Sequence, residues 1–210
     1  MSRISMAGAG ALLLDAANGP FSDTTQQKVW TAAQTLMAHP QVIQAVPGVN
    51  NLLVTFDPVT TEPDAMERLL SETWAGTPAG AFTSRDIEIP VIYDGEDLAF
   101  VSQAAGLTEE ETIALHSGGT YSVAAIGAMP GFVYLTGLDP RLALPRRDSP
   151  RLKVAQGSVC IGGGHAGIIP FDSPSGWHIL GNTTLTMFDP ARDEPCFFRL
   201  GDTIRFKRVS

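Results

Sequence analysis

Four arginines and a lysine crowd one stretch of an otherwise acidic chain: Arg141, Arg146, Arg147, Arg151 and Lys153, with Asp148 among them. A guanidinium is planar, stays charged and meets a carboxylate or phosphate with two parallel hydrogen bonds. Each such bond contributes about 1.5–3 kcal/mol where water is excluded. Pro140, Pro145 and Pro150 fix φ along the run, so the sequence predicts a stiff, extended arm that loses little entropy on binding. The formal net charge of −8 repels nucleic acid and anionic membranes. The local cluster therefore predicts a site for a small anion or an acidic partner patch; a solvated arm that balances nearby acids fits the composition equally.

Residues 127–183 hold 10 of the 21 glycines and 6 of the 15 prolines, a density that suits short strands and tight turns rather than long helices. Within it, Gly162-Gly163-Gly164-His165-Ala166-Gly167 has the form G-x-G-x-x-G. A dinucleotide fold needs that motif to open a helix, but Pro170 follows at once among predicted strands, so a glycine bend where strands pack closely is the better reading. Its N–H groups could still face an anion, which makes His165 a ligand contact. His116 closes a predicted helix, where capping competes with catalysis. His178 reads as structural or surface. Ser158 and Ser175 lack a G-x-S-x-G setting, Cys160 reads as buried, and Phe132, Tyr134 and Trp177 read as core or pocket wall. Cys160 and Cys196 form no C-x-x-C pair, so neither a disulfide framework nor a metal site is indicated, and reduced cytoplasmic thiols follow.

The elements that must position these groups divide into two regions. Arg3 and the apolar run 6–14 imitate a signal peptide, but Asp15 closes the run and a buried first strand over 7–14 accounts for it. Asn18-Gly19-Pro20 marks a turn, and a helix follows with Asp23 as N-cap. Strands over 42–46 and 52–56, then a second helix from Pro63, complete a β-α-β-β-α-β order if the strand from Ile87 closes it. That order predicts a small ferredoxin-like α/β domain over 1–88, with 75–84 as linker. Two short helices follow, over 95–105 and from a Thr108/Glu111 capping box to His116. Short strands near 121–126, 132–135, 158–161, 178–180, 185–188, 196–200 and 203–208 predict a β-barrel or sandwich over 89–210.

Pro130-Gly131-Phe132-Val133-Tyr134-Leu135, Gly137-Leu138, Pro145-Arg146, Pro150-Arg151, Gly157-Ser158-Val159, Gly176-Trp177 and Gly201-Asp202 carry a resemblance over nearly the whole chain. The chain resembles the 5-oxoprolinase B-subunit (PxpB) family, also described as KipI-like or allophanate hydrolase subunit 1-like. The resemblance implies an α+β protein: the α/β domain followed by a cyclophilin-like β-barrel. It further implies one component of an ATP-dependent hydrolase, with Mg accompanying the ATP, that opens 5-oxoproline to glutamate. Its implied partners are a KipA-like protein, the C component, and a separate A component. Carried over residue by residue, the resemblance makes His116, Arg146 and Arg151 catalytic candidates. Pro130, Gly131, Phe132, Ser158, His165 and Asn182 are the substrate-binding candidates.

Departures from the family pattern fall at Ala128, His165, Ile169, Ser175 and Asn182, the last replacing an arginine and so a fixed charge that bears on the substrate. The KipI name implies a different function, a binding module that inhibits a sensor histidine kinase. Prolyl isomerase activity would rest on fold analogy alone.

Overall fold

The computed structural model describes residues 2–17, 19, 21–78 and 84–210. The chain forms two compact units, Met1–Thr83 and Ser84–Ser210. Asn18 and Pro20 of the predicted turn, and 79–83 of the predicted linker, lie outside the described residues.

The first unit contains β1 (Arg3–Met6), β2 (Ala11–Asp15), α1 (Asp23–Met37), β3 (Gln44–Pro47), β4 (Asn51–Thr55) and α2 (Pro63–Gly76). The strand expected over 7–14 is instead the second arm of a hairpin. Gly8, at φ 97°, turns the chain so that Met6 faces Leu12 across an antiparallel pair. The cap of α1 is Ser22, whose hydroxyl accepts from Thr25 N at 3.2 Å, and Asp23 occupies the first turn, where its charge suits the helix dipole. Alternation sends Leu12, Leu14, Leu52 and Val54 to one face of the sheet, where they pack against Val29, Leu36, Met66 and Leu70 of the helices.

The sheet order β1-β2-β4-β3, in a chain that runs β-β-α-β-β-α, corrects the ferredoxin-like expectation. One split β-α-β is present, with β4 between β2 and β3. The remaining edge is filled by β1, which precedes the unit's helices, rather than by a strand after α2. The strand from Ile87 belongs to the second unit, which moves the boundary back from the expected 88/89.

That strand, β5 (Asp86–Val91), runs parallel to β13 (Thr203–Arg208) in register from Asp86↔Thr203 to Val91↔Arg208. Between them in sequence come α3 (Leu98–Ala105), α4 (Glu109–Gly118), β6 (Tyr121–Ile126), β7 (Val133–Thr136), β8 (Arg151–Val154), β9 (Ser158–Gly162), β10 (His165–Ile168), β11 (Ser173–Ser175) and β12 (His178–Asn182). The capping box of α4 forms as predicted, with Thr108 Oγ1 and Glu111 as its two halves, and Gly106 ends α3 at φ 69°. The stretches read as strands at 185–188 and 196–200 meet only through a bridge between Phe188 and Cys196.

Seven strands lie in the order β12-β9-β10-β7-β6-β13-β5. Ile92 and Asn182 then exchange backbone hydrogen bonds of 2.9 and 2.8 Å, bringing the two outer strands together and leaving a nearly closed barrel. The seam admits no side chain at two points: a Cβ on Gly95 would lie 2.3 Å from the Leu180 carbonyl carbon, and one on Gly181 would lie 2.2 Å from the Ile92 oxygen. Gly181→Ala should therefore destabilise the protein by about 1–3 kcal/mol, the usual range for overpacking. Urea unfolding would show it against Gly118→Ala, where the Cβ position is open and no loss is expected.

Alternation along β9 and β12 builds two layers. Val159, Ile161 and Leu180 join the barrel interior. Cys160 and Ile179 point the other way, into a second cluster with Phe132, Val154, Ile169 and Trp177. The β8–β11 ribbon contributes Val154 to this outer cluster, and its Pro174 is tolerated because a two-stranded ribbon leaves unpaired edges. The basic arm enters there.

Candidate functional site

The arm between Leu144 and Arg151 is tied down along its length. Leu144 O accepts from Gly163 N at 2.7 Å, and Arg147 N donates to Gly176 O at 2.8 Å. His178 Nε2 lies 2.9 Å from Pro145 O. Beyond Pro150 the chain becomes β8, so proline stiffness is only part of what extends it.

Four of the five cations in the cluster have carboxylate partners. Arg141 pairs with Asp139 at 2.7 Å and Lys153 with Asp172 at 2.9 Å. Arg147 reaches Asp97 Oδ1 at 3.0 Å. Arg151 grips both oxygens of Asp97, at 2.8 and 2.9 Å, and its Nε lies 2.8 Å from Glu96. Arg146 alone has no carboxylate partner among the described residues; its guanidinium lies 5.4 Å from the centre of the Trp177 ring. That is within cation–π range, worth about 0.5–2 kcal/mol according to exposure.

Two clefts flank the arm, and Arg146 and Arg147 line both. The first, about 250 Å³, is walled by Phe132, Tyr134, Trp177, Ile169 and Pro150. The second, about 490 Å³, is bounded by Phe100, Leu144, Asp148 and His178, with Phe100 stacked on His178 at 5.2 Å. In the first cleft the rings meet edge to face: Phe132 lies 5.3 Å from Trp177 and 5.1 Å from Tyr134, and Tyr134 lies 6.0 Å from His165.

This wall explains the glycine motif. Residues 162–165 form the tight connection of the β9–β10 hairpin, with Gly163 at φ 61°. A Cβ on Gly162 would lie 2.8 Å from the Trp177 ring, and one on Gly167 would lie 3.0 Å from Phe132. The glycines let aromatic rings lie against the sheet.

The sequence-predicted residues separate into two groups. Arg146 and Phe132 share the first cleft, and His165 joins them through Tyr134. Burial, followed by the charge of Arg146, lowers the His165 pKa and favours the neutral imidazole. Pro130 and Gly131 shape the turn that delivers Phe132, whose N–H donates to Met129 O at 3.1 Å. Ala128, at that turn and on the cleft wall, takes φ 68°, a conformation unfavourable for a residue with a Cβ.

Ser158 and Asn182 pair with each other at the opposite end of β9 from His165 and line neither cleft. Ser158 Oγ donates to Ala155 O at 2.8 Å, and Asn182 Nδ2 donates to Asp94 at 2.6 Å, so both serve the barrel seam and its loops. Arg151 is held by Asp97 and Glu96 and lines neither cleft.

His116 also lies outside both clefts. It is fully buried in α4, stacked on Phe206 at 4.5 Å, with Nδ1 2.7 Å from the Tyr93 hydroxyl. Burial lowers its pKa to about 3, so it is neutral and not a cation at the helix end. An unfolded histidine takes up a proton near pH 6.5 that the folded one refuses. Stability should therefore fall as pH drops below about 6.5, by up to about 1.4 kcal/mol per pH unit. Urea unfolding across that range should show a flatter limb in His116→Phe.

Asp97 is the residue that sequence reasoning missed. It is 3% exposed, it collects both arginines, and its Oδ2 accepts from Ile179 N at 2.7 Å. Burial acts to raise its pKa; the hydrogen bonds from Arg151 and Ile179 and the two guanidinium charges outweigh burial and hold it low. The acidic run Asp94, Glu96, Asp97 was the available signal, as the counter-charge to the arm. Among the described residues no group of His, Cys, Asp or Glu is arranged to hold a metal ion, and no helix is long and apolar enough to cross a membrane.

Comparison with known proteins sets the class first. A family model described as "Carboxyltransferase domain, subdomain C and D" matches residues 2–198. The crystal structure of TTHA0988 superposes on all of this chain with a TM-score of 0.83 at 34% identity, although the chain spans only 40% of that one. The Kluyveromyces lactis urea amidolyase covers 100% of the chain with 15% of its own length and a TM-score of 0.84; at 16% identity it shares the fold. The B-subunit of 5-oxoprolinase from Escherichia coli O157:H7 is 44% identical over 191 residues, 89% of this chain and 87% of that protein. The chain belongs to the 5-oxoprolinase B-subunit family.

Proposed function

We propose that this chain is one component of an ATP-dependent amide hydrolase that opens 5-oxoproline or a closely related small lactam, and that the first cleft holds the substrate. The supporting observation is Arg146, a guanidinium without a carboxylate partner among the described residues, which lies over Trp177 while its neighbours are neutralised. A five-membered lactam acid carries one carboxylate and a near-planar amide. The guanidinium would take the carboxylate bidentately, and Phe132, Tyr134 and Trp177 would cover the ring and exclude water. His165, neutral beside Arg146, leaves the arginine as the main local positive charge.

The residues present do not fit ATP itself. The Gly163 N–H is engaged by Leu144 O, Arg146 is the one guanidinium of the arm without a carboxylate partner among the described residues, and no carboxylate group among them is arranged for a metal. The nucleotide contacts would then come from the KipA-like and A-component partners, and this chain would contribute binding, orientation and exclusion of water.

Co-purification with a KipA-like protein and an A-component protein, followed by an ATP-turnover assay, tests the reading. Stimulation by 5-oxoproline or a related lactam is expected. A complete complex that no member of a lactam panel stimulates would sink it.

A further inference from the structure

We propose that Asp97 is a positioning residue for the cleft: its buried carboxylate ties the arm beside Arg146 to the strand beside Trp177, so that the two halves of the anion site hold one geometry. Arg147, which reaches Asp97 Oδ1 at 3.0 Å, is the next residue after Arg146. Ile179, whose N–H reaches Oδ2 at 2.7 Å, lies two residues beyond Trp177, and both side chains belong to the same outer cluster. The backbone N–H of Asp97 also donates to Ile179 O at 3.0 Å, so Asp97 pairs with β12 through main chain and side chain together.

The choice of partner is informative. Asp97 stands at the N-cap of α3, where an aspartate ordinarily accepts from its own helix, yet it makes no side-chain cap hydrogen bond. Its carboxylate is turned instead to residues 50, 54 and 82 positions away. Arg151 completes the node with two bonds to Asp97, fixing the far end of the arm. Without the node, the Arg147 side chain would lose its anchor and Arg146 would sample both clefts, since it lines each of them. The bearing of this on turnover rests on the ring-opening function proposed above; its structural content does not.

The test reads the geometry directly. With arginine carbon-labelled, the Cδ–Hδ resonance of Arg146, assigned by its loss in Arg146→Lys, should be shifted upfield by the Trp177 ring current. Asp97→Asn should return it to the position of a free arginine while the protein still melts cooperatively. Should Asp97→Asn fail to fold, Arg147→Leu leaves the Asp97–Arg151 pair in place and should give the same return. An Arg146 resonance unshifted in the natural sequence, or still shifted in both folded variants, would overturn the proposal. In the reconstituted complex, Asp97→Asn should raise KM for 5-oxoproline about tenfold and leave kcat within a few-fold, the pattern of lost substrate binding. A complex with no turnover would refute the lactam function and leave the resonance to decide the role of Asp97.

Discussion

Arg146→Ala should lower kcat/KM for the proposed lactam substrate by about 10- to 150-fold, the loss equivalent to the 1.5–3 kcal/mol of a charge-assisted hydrogen bond. The expectation follows from how the surrounding charges are balanced. Arg141, Arg147, Arg151 and Lys153 are matched to carboxylates, so Arg146 is the cation of the cluster left to attract an anion. Arg146→Lys keeps the charge but loses the planar fork and its match to the Trp177 face, so it should fall between alanine and the natural residue. Trp177→Leu keeps the guanidinium and removes the surface beneath it. Steady-state kinetics of the three variants in the reconstituted complex would separate charge from geometry. Equal activity of Arg146→Ala and the natural sequence would move the anion site elsewhere.

Asp97→Ala should lower the unfolding free energy by about 3 kcal/mol, because it leaves the partly buried Arg147 without its carboxylate and Arg151 with only the exposed Glu96. Against the 5–15 kcal/mol typical of a folded domain, that is a large fraction. Replacing the partners as well, as Asp97→Leu with Arg147→Leu and Arg151→Met, should recover much of the loss, since the one charge then left without its partner, Glu96, is exposed to water. Chemical denaturation of the two variants checks both halves. The pH dependence has a definite sign. The folded pKa of Asp97 lies below its ordinary value, so its contribution is complete above the unfolded pKa of about 4 and disappears as pH falls through the folded one. In Asp97→Asn that acid-limb contribution should be missing.

Local chemistry was legible in the chain. The Thr108/Glu111 capping box and the strands at 121–126 and 203–208 each depend on neighbours within a few residues, and each appears where expected. Pairings across long separations were not legible. Arg151 looked free because its partner lies on another element, in the turn before α3. The parallel match of β5 to β13 leaves no short-range mark, so the strand from Ile87 could be assigned to either region. The hairpin of β1 and β2 was hidden because a run of glycine and alanine reads as one strand until Gly8 is seen at positive φ. Arg146 was legible as a cation and Trp177 as a wall. Their juxtaposition was not, since it depends on glycines 162 and 167 whose function is to be small.

The parallel pairing of β5 with β13 also orders events during synthesis. The first strand of the barrel finds one neighbour in the last, and its other contact is the two-bond bridge from Ile92 to Asn182. Until residues 203–208 have left the ribosome, β5, which alternates Ile87, Ile89 and Val91 with Asp86, Glu88 and Pro90, has an open edge, the kind of surface that pairs with other chains. The nascent second unit therefore passes through its most aggregation-prone interval late, and a chaperone or partner protein that shields residues 86–91 would act before the barrel closes.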